Sequence, residues 1–504
     1  MTPRDAAGLV GERALARREA GVIVDDAGTL DGVHFREVAR GMMRWSRSWG
    51  ATPVGARWDV ALVTPQSGEA LAAFTGLSMA GWAVGVVDAA WTPSEQHAAI
   101  TQLSPSAVVL PADRADAGAR LVAGGWRASM HPDGAWVALL PPARRPGSAP
   151  DGPVPDADFY VGFTSGSAGR PKAFARSHAS WWASFTGLDT IVEIAEGETV
   201  AVPGPLSGSH FLFGALHALH RGADIDLRGV PGGRSWAGES APEVVYVVPS
   251  LLSRMVEAGG LGGGAPRHLM CAGARLDGVT SDRVADRWPH SEIVEYYGAS
   301  ELSFVTIRRT GDGTPEGSVG RAFPGVEVTV RDDEDRPLDA GRPGRVFARG
   351  PLLFSGYRGV TPPSAAHRAD DGAWTVGDMG HIDENGNLFV AGRGSALIIT
   401  GGLNVQPEEV EEAVAACAGV AGVVVVGVDD PRWGEVVVAV VSPVPRATLR
   451  RTDLRGAVVN RLARAKRPRR YLVHEDPFPL LRSGKIDRPA VRRRVLAGEL
   501  PEVG

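Results

Sequence analysis

Two spacings of apolar residues alternate along the first 110 positions, and they predict helix and strand by turns. Within residues 35–49, Val38, Met42 or Met43, Trp45 and Trp49 recur at near-helical spacing. Residues 60–64 are a short unbroken apolar run and predict a buried strand. Residues 69–81 are rich in small side chains, and Leu71, Phe74, Leu77 and Met79 mark them as a helix with a core face. Residues 83–87 predict a second strand, 88–92 a turn and 107–110 a third strand. Alternation of this kind implies a parallel sheet covered by helices on its faces. The same rhythm resumes over 199–276. The C-terminal hundred or so residues read differently. A helix is predicted at 407–417, with Pro407 in its first turn and Glu408, Glu409, Glu411 and Glu412 close behind, where acids favour a helix N-terminus. Strands at 420–428 and 435–442 and a helix at 449–463 complete a small α+β domain.

At 504 residues the chain exceeds a single core, so the fold class expected is α/β: a large N-terminal region of several subdomains plus a small domain. A net charge of -5 argues against a nucleic-acid partner. Two cysteines, Cys271 and Cys417, exclude a disulfide framework and fit a reducing cytoplasm. The N-terminal residues are polar and charged, no apolar run reaches membrane-spanning length, and no membrane partner is expected. Of 53 basic residues only Lys172, Lys466 and Lys485 are lysine. A chain that uses arginine nearly everywhere else keeps lysine at two motif positions, 172 and 485, and the two cations are not interchangeable at a phosphate.

The stretch 161–178, VGFTSGSAGRPKAFARSH, carries the densest chemistry. An apolar strand ends at Thr164. Ser165, Gly166, Ser167 and Gly169 follow, then Pro171 and Lys172. Glycines let backbone N–H groups turn toward an anion, hydroxyls add donors, and lysine adds a point charge. The spacing is G-x-x-G-x-x-K and so differs from the Walker pattern. The plain alternative is a surface loop between a strand and a helix.

This stretch resembles the phosphate loop of the acyl-adenylating superfamily, which includes acyl-CoA synthetases, aryl-acid ligases, peptide-synthetase adenylation domains and firefly-type luciferases. Further segments are similar to the family's motifs in the right order. Gly273, Ala274 and Arg275 fall in its adenine-side loop. Tyr297, Gly298, Ala299, Ser300 and Glu301 match Tyr-Gly-x-Thr/Ser-Glu. The resemblance implies that Tyr297 stacks on adenine and that Glu301, with Thr164, holds Mg²⁺ beside the nucleotide phosphates. Asp378, in Thr375-Val376-Gly377-Asp378, would take the ribose hydroxyls, with Arg393 also on the ribose. Ser395 stands at the hinge position between an N-terminal domain of residues 1–393 and a mobile C-terminal domain of 396–504. Residues 483–488, SGKIDR, match the family's terminal motif and make Lys485 the catalytic cation of that domain, alongside Lys172 and Glu301.

The implied reaction joins a small-molecule carboxylic acid to the α-phosphate of ATP, giving acyl-AMP and pyrophosphate, followed by transfer to a thiol. The thiol belongs to CoA or to the phosphopantetheine of an acyl carrier protein. His210, Phe211 and Gly298 are the expected acid-pocket residues. Ser207-Gly208 replaces a bulky Phe-His pair common in relatives, and no aspartate stands between Ala201 and Ala223 to hold an α-ammonium group. An aryl or aryl-propenoic acid is therefore favoured. Two rivals share the scaffold: an ATP-dependent aryl diazotase using nitrite, and a non-catalytic nucleotide-binding relative.

Overall fold

The computed structural model describes residues 10, 21–49, 57–119, 125–141, 152–165, 171–229, 241–258, 264–276, 278–359, 366–393, 398–400, 403–405, 407–430, 434–459, 461–462, 464–481 and 486–504. The chain divides into two compact units. One comprises Met1–Thr314, Gly320–Val328 and Ala348–Trp374; the other comprises Pro315–Val319, Thr329–Phe347 and Thr375–Gly504.

The first unit is built on two sheets. Among the described residues one has eight strands, in the order Gly356–Arg358, Pro171–Ser177, Asp158–Ser165, Ala83–Asp88, Asp59–Thr64, Ala107–Pro111, Trp136–Leu140, Arg127–Met130. Its centre is parallel, and every residue of Asp59–Thr64 and Ala83–Asp88 is buried. Burial on both faces explains why these strands read as unbroken apolar runs. Helix Gly68–Met79 packs on helix Gly32–Arg47 so closely that a Cβ on Gly76 would stand 2.2 Å from the Ala39 carbonyl oxygen. Ser67 and Thr92 cap the helices that follow them, and Thr92 forms a reciprocal box with Glu95.

The second sheet has nine strands, in the order Arg321–Ala322, Ser303–Arg309, Glu292–Ala299, His268–Ala272, Val244–Val247, Thr199–Ala201, Asp224–Asp226, Val22–Asp25, Gly28–Asp31. It is parallel from Glu292–Ala299 through Val22–Asp25. Gln66 ties the two sheets together. Its Nε2 donates to the Val202 and Gly204 carbonyls at 3.1 and 2.7 Å, and its Oε1 accepts from the Leu206 amide at 2.9 Å. The expected α/β class, with parallel sheets flanked by helices, is the observed one.

In the second unit, the long antiparallel pair Val420–Asp430 and Gly434–Pro443 takes Arg470–Val473 in parallel on Gly434–Pro443. Alternate residues serve two cores. Val425, Val437, Ala439 and Val441 pack with helices Pro407–Ala415 and Arg451–Val459, while Val424, Val426, Val438 and Val440 pack with Val491 and Val495 of helix Arg488–Leu496. A sheet covered on both faces needs apolar residues at both parities, which is the valine run seen in the sequence. Among the described residues no helix is long and apolar enough to cross a membrane.

Candidate active site

The phosphate-loop motif sits on an antiparallel hairpin. Asp158–Ser165 pairs with Pro171–Ser177, placing Lys172 opposite Thr164 and Pro171 opposite Ser165. The segment after the loop is thus a strand, where the plain alternative had placed a helix. Lys172 is half-exposed, and among the described residues neither it nor the Thr164 hydroxyl has a hydrogen-bond or ion-pair partner. Gly166, Ser167 and Gly169 lie outside the described residues. Ser177 caps helix His178–Asp189 by accepting from the Ser180 amide at 3.2 Å. His178 is buried, stacked on Phe159 at 4.5 Å between ring centroids, and burial pushes its pKa down to about 3. Both close the hairpin structurally.

The Tyr297-to-Glu301 motif ends a second hairpin, formed by Glu292–Ala299 and Ser303–Arg309, with a register shift between Tyr297 and Gly298. Gly298 is required by the turn itself: a Cβ there would stand 1.9 Å from the Ser303 carbonyl oxygen. Tyr297, Ala299 and Ser300 are half-buried. Glu301 was read from sequence as a metal ligand rather than a solvated loop acid, and its side chain is buried, 7% exposed.

A short segment that the sequence reading did not single out joins these hairpins. The Phe354 amide donates to the Glu301 carbonyl at 2.9 Å, and the Ser355 amide to the Ala175 carbonyl at 2.8 Å. Tyr357 stands opposite Phe174 in the sheet, and its hydroxyl donates to Glu301 Oε1 at 3.0 Å. Residues 354–358 therefore fix Glu301 against the strand that bears Lys172. Arg358 anchors the segment from the other end on Asp158, and Gln102 Nε2 donates to the Arg358 carbonyl at 2.6 Å. Nothing in the local sequence, LLFSGYRG, distinguishes this tyrosine from a packing residue, because its partner lies 56 positions away.

The expected acid-pocket turn follows strand Thr199–Ala201. The Ser207 hydroxyl donates to Asp88 Oδ2 at 2.8 Å. His210 opens helix Ser209–Arg221 half-buried. Its Nε2 donates to the Val247 carbonyl at 2.9 Å, so in the neutral ring Nδ1 accepts from the Tyr296 hydroxyl. Burial holds that hydroxyl well above its ordinary pKa, which keeps it a donor. Phe211 is 3% exposed, its ring filling the space over Gly204, and Phe213 packs between Phe185 and Phe304, each 5.0 Å away. Both are helix core. On the adenine side, Gly273 takes a φ of 94° after strand His268–Ala272, with Ala274 and Arg275 exposed beyond it.

The remaining expected residues belong to the second unit. Asp378 is buried at the start of strand Asp378–Ile382, its backbone paired with Arg393. The inserted Val376 is accommodated by Gly377 at a φ of 85°, whose amide donates to Thr375 Oγ1 at 3.1 Å. Lys485 and Ser395 lie outside the described residues. The stem before and after Lys485 is closed by a bridge between Leu480 and Ile486 and by the Asp487 amide on the Pro479 carbonyl at 2.8 Å. Arg488 anchors it on Glu411, on Glu408 Oε1 at 3.3 Å and on the Val425 carbonyl at 2.7 Å.

Among the described residues no three His, Cys, Asp or Glu side chains cluster as a protein-only metal site. The donor set fits a cation shared with phosphates instead, since Mg²⁺ takes one or two protein oxygens there. Glu301 spends Oε1 on Tyr357, and among the described residues neither its Oε2 nor the Thr164 hydroxyl has a hydrogen-bond partner.

The chain is similar to known proteins along most of its length. The chain matches the family model described as AMP-binding enzyme over residues 32–358, and that of the AMP-binding enzyme C-terminal domain over 409–485. It is 34% identical over 459 residues to the uncharacterized acyl-CoA ligase YhfT of Bacillus subtilis, covering 89% of this chain and 90% of that one. It is 30% identical over 388 residues to the indoleacetate-CoA ligase of Aromatoleum aromaticum, covering 72% and 73%. The crystal structure of ATP-bound MatB from Rhodopseudomonas palustris superposes with a TM-score of 0.81 at 25% identity, over 96% of this chain and 98% of that one. A match this long, in both parts and in motif order, places the chain in the AMP-binding enzyme family.

Proposed function

We propose that the protein is an AMP-forming acid–thiol ligase. A carboxylate attacks the α-phosphate of ATP to give acyl-AMP and pyrophosphate, and a thiol then displaces AMP to give a thioester. The observation that carries this reading is the link through residues 354–358, which fixes Glu301 against the hairpin that presents Lys172 and Thr164, both without a partner among the described residues. Lys172 supplies positive charge to the phosphates, and Glu301 and Thr164 would hold Mg²⁺, whose charge offsets that of the nucleotide phosphates. Tyr297, Gly273, Ala274 and Arg275 border the adenine, and Asp378 and Arg393 take the ribose. Lys485 stabilises the charge that builds at the α-phosphate. Catalysis is then chiefly positioning and charge stabilisation. The C-terminal domain, hinged near Ser395, swings between the two half-reactions. CoA is the acceptor favoured, since the relatives named above are CoA ligases by name; a carrier-protein phosphopantetheine is the second. The nitrite-using alternative gains no support from these relatives.

The acid is aryl or aryl-propenoic. Ser207-Gly208 opens the turn, and an indoleacetate ligase stands among the relatives. Phe211 lends no support, because it is spent in the core. Comparing kcat/KM for benzoate, phenylacetate and cinnamate with octanoate and palmitate tests this. A pocket preference worth ~1–3 kcal/mol per lost group predicts more than about a tenfold ratio in favour of an aromatic acid, and palmitate leading every aromatic acid would reject it.

A further inference from the structure

Arg176 is a buried cation with no carboxylate partner among the described residues. It is 4% exposed, and burial draws its pKa down to about 9. Burying a charge is costly unless it is paired. Arg358, similarly buried, is paired with Asp158. Arg176 instead spends its guanidinium on neutral groups of helix His178–Asp189. Nε donates to Ser180 Oγ at 3.0 Å, and Nη2 donates to the Ser180 carbonyl at 3.3 Å and Ser184 Oγ at 3.4 Å. The Trp181 ring centroid lies 5.9 Å away.

Ser184 donates its own proton to the Ser180 carbonyl at 2.9 Å, so toward Arg176 its oxygen is an acceptor. Ser303 Oγ stands 3.2 Å from the same oxygen, and Ser303 is the donor of that pair when the Ser184 proton stays on the Ser180 carbonyl. Ser303 is a non-glycine residue with a φ of 62°. An L-residue persists in that region only when its surroundings hold it. Its carbonyl is the group that excludes a Cβ from Gly298, and it lies two positions beyond Glu301. A thread of polar contacts thus runs from Arg176 through Ser184 to the turn carrying Glu301. On strand Pro171–Ser177, Lys172 and Arg176 share a face, about 13 Å apart at 3.3 Å per residue.

We infer that Arg176 is a positioning residue for the metal-side turn: its guanidinium fixes Ser184, Ser184 fixes Ser303, and Ser303 holds Gly298 and Glu301 in place. This rests on the reading of Glu301 as the metal carboxylate, and the test separates the two. Arg176→Leu, Ser184→Ala and Ser303→Ala are compared by amide hydrogen exchange and by the Mg²⁺ dependence of pyrophosphate release. Ser303→Ala serves where Arg176→Leu fails to fold. Exchange over residues 297–304 should rise about tenfold or more in each variant, with the central strands unchanged. The Mg²⁺ concentration for half-maximal rate should rise about three- to tenfold, and the Ser184→Ala/Ser303→Ala pair should be no worse than either alone, because both remove one shared contact. Unchanged exchange over 297–304, or additive effects in the pair, overturns the inference whatever Glu301 does. Faster exchange with an unmoved Mg²⁺ curve keeps the positioning role and rejects the reading of Glu301.

Discussion

The two hairpins that carry the candidate site belong to two different sheets, each one strand in from the sheet's edge, and they are held by different contacts. The strands flanking Thr164 and Lys172 are held by their own pairing, by a cap and a buried ring at the exit, and by strand Gly356–Arg358 on the outer side. The hairpin ending at Glu301 is closed by partners from far away. Tyr357 reaches its carboxylate across 56 positions, and Ser184 reaches Ser303 across 119. A phosphate is bound by main-chain donors that any glycine-rich turn can aim. A single carboxylate oxygen for a metal must be aimed by side chains, and side-chain partners come from wherever the fold brings them.

Removing a group that belongs to neither hairpin gives the largest effect. Lys485→Ala should lower adenylation by about a hundredfold or more, the scale of one preorganised charge-stabilising donor. ATP binding should remain nearly normal, because both hairpins are intact. Acyl-AMP supplied ready-made should still be converted to thioester. Equal losses in both half-reactions would reject a domain that swings.

Gly298→Ala attacks the second hairpin alone. The new Cβ would meet the Ser303 carbonyl at 1.9 Å, so the register shift must open. Overpacking of this kind costs about 1–3 kcal/mol. The melting temperature should fall, and adenylation should fall further than the stability loss explains. If the variant melts and works like the parent, the turn is not as tight as its geometry indicates.

Much of this was legible in the sequence, and the exceptions share a cause. Strands at 59–64 and 83–88 and the paired strands of the C-terminal domain announced themselves because burial on both faces leaves an unbroken apolar run. The glycine–hydroxyl loop, whose residues 166–170 lie outside the described ones, stood out because its motif is local. Strand Pro171–Ser177 did not, since its pairing with Gly356–Arg358 depends on a segment about 180 positions later. His210 was placed at the pocket turn, yet its tautomer is set by Val247 and Tyr296, neither of which is near it in the chain. Phe211 reads from the sequence as a pocket residue, and packing shows it buried over Gly204.

A smaller step sharpens the contrast in how Glu301 is aimed. Glu301→Gln should raise the Mg²⁺ concentration for half-maximal activity by about tenfold, roughly 1.4 kcal/mol, since an ionised ligand becomes neutral. Tyr357→Phe keeps the charge and loses only the hydroxyl on Oε1, so its shift should be about two- to threefold. An unmoved curve in Glu301→Gln would remove it from the metal site. A larger effect from Tyr357→Phe than from Glu301→Gln would make the tyrosine, not the acid, the group that matters.

The smallest expected effect lies at the exit of the first hairpin. His178 Nδ1 is buried without a hydrogen-bond partner, and desolvation lowers its pKa from 6.5 to about 3. A group whose charged form is disfavoured by folding takes up its proton more readily in the unfolded chain. Between pH 6.5 and about 3 the unfolded state therefore binds the extra proton, and stability falls as pH falls through that window. At 1.36 kcal/mol per unit, the loss from this residue by pH 5 is about 2 kcal/mol. His217, also buried and lowered, contributes with the same sign. His178→Phe keeps a flat ring against Phe159 and removes the titration. Its unfolding free energy at pH 5 should therefore lie closer to that at pH 6.5 by about 2 kcal/mol, with the difference above pH 7 unchanged. Denaturant titrations at the two pH values read this directly. An acid slope equal to the parent's would mean that His178 already binds a proton in the folded state, and that the first hairpin is anchored by a charge, as the second is.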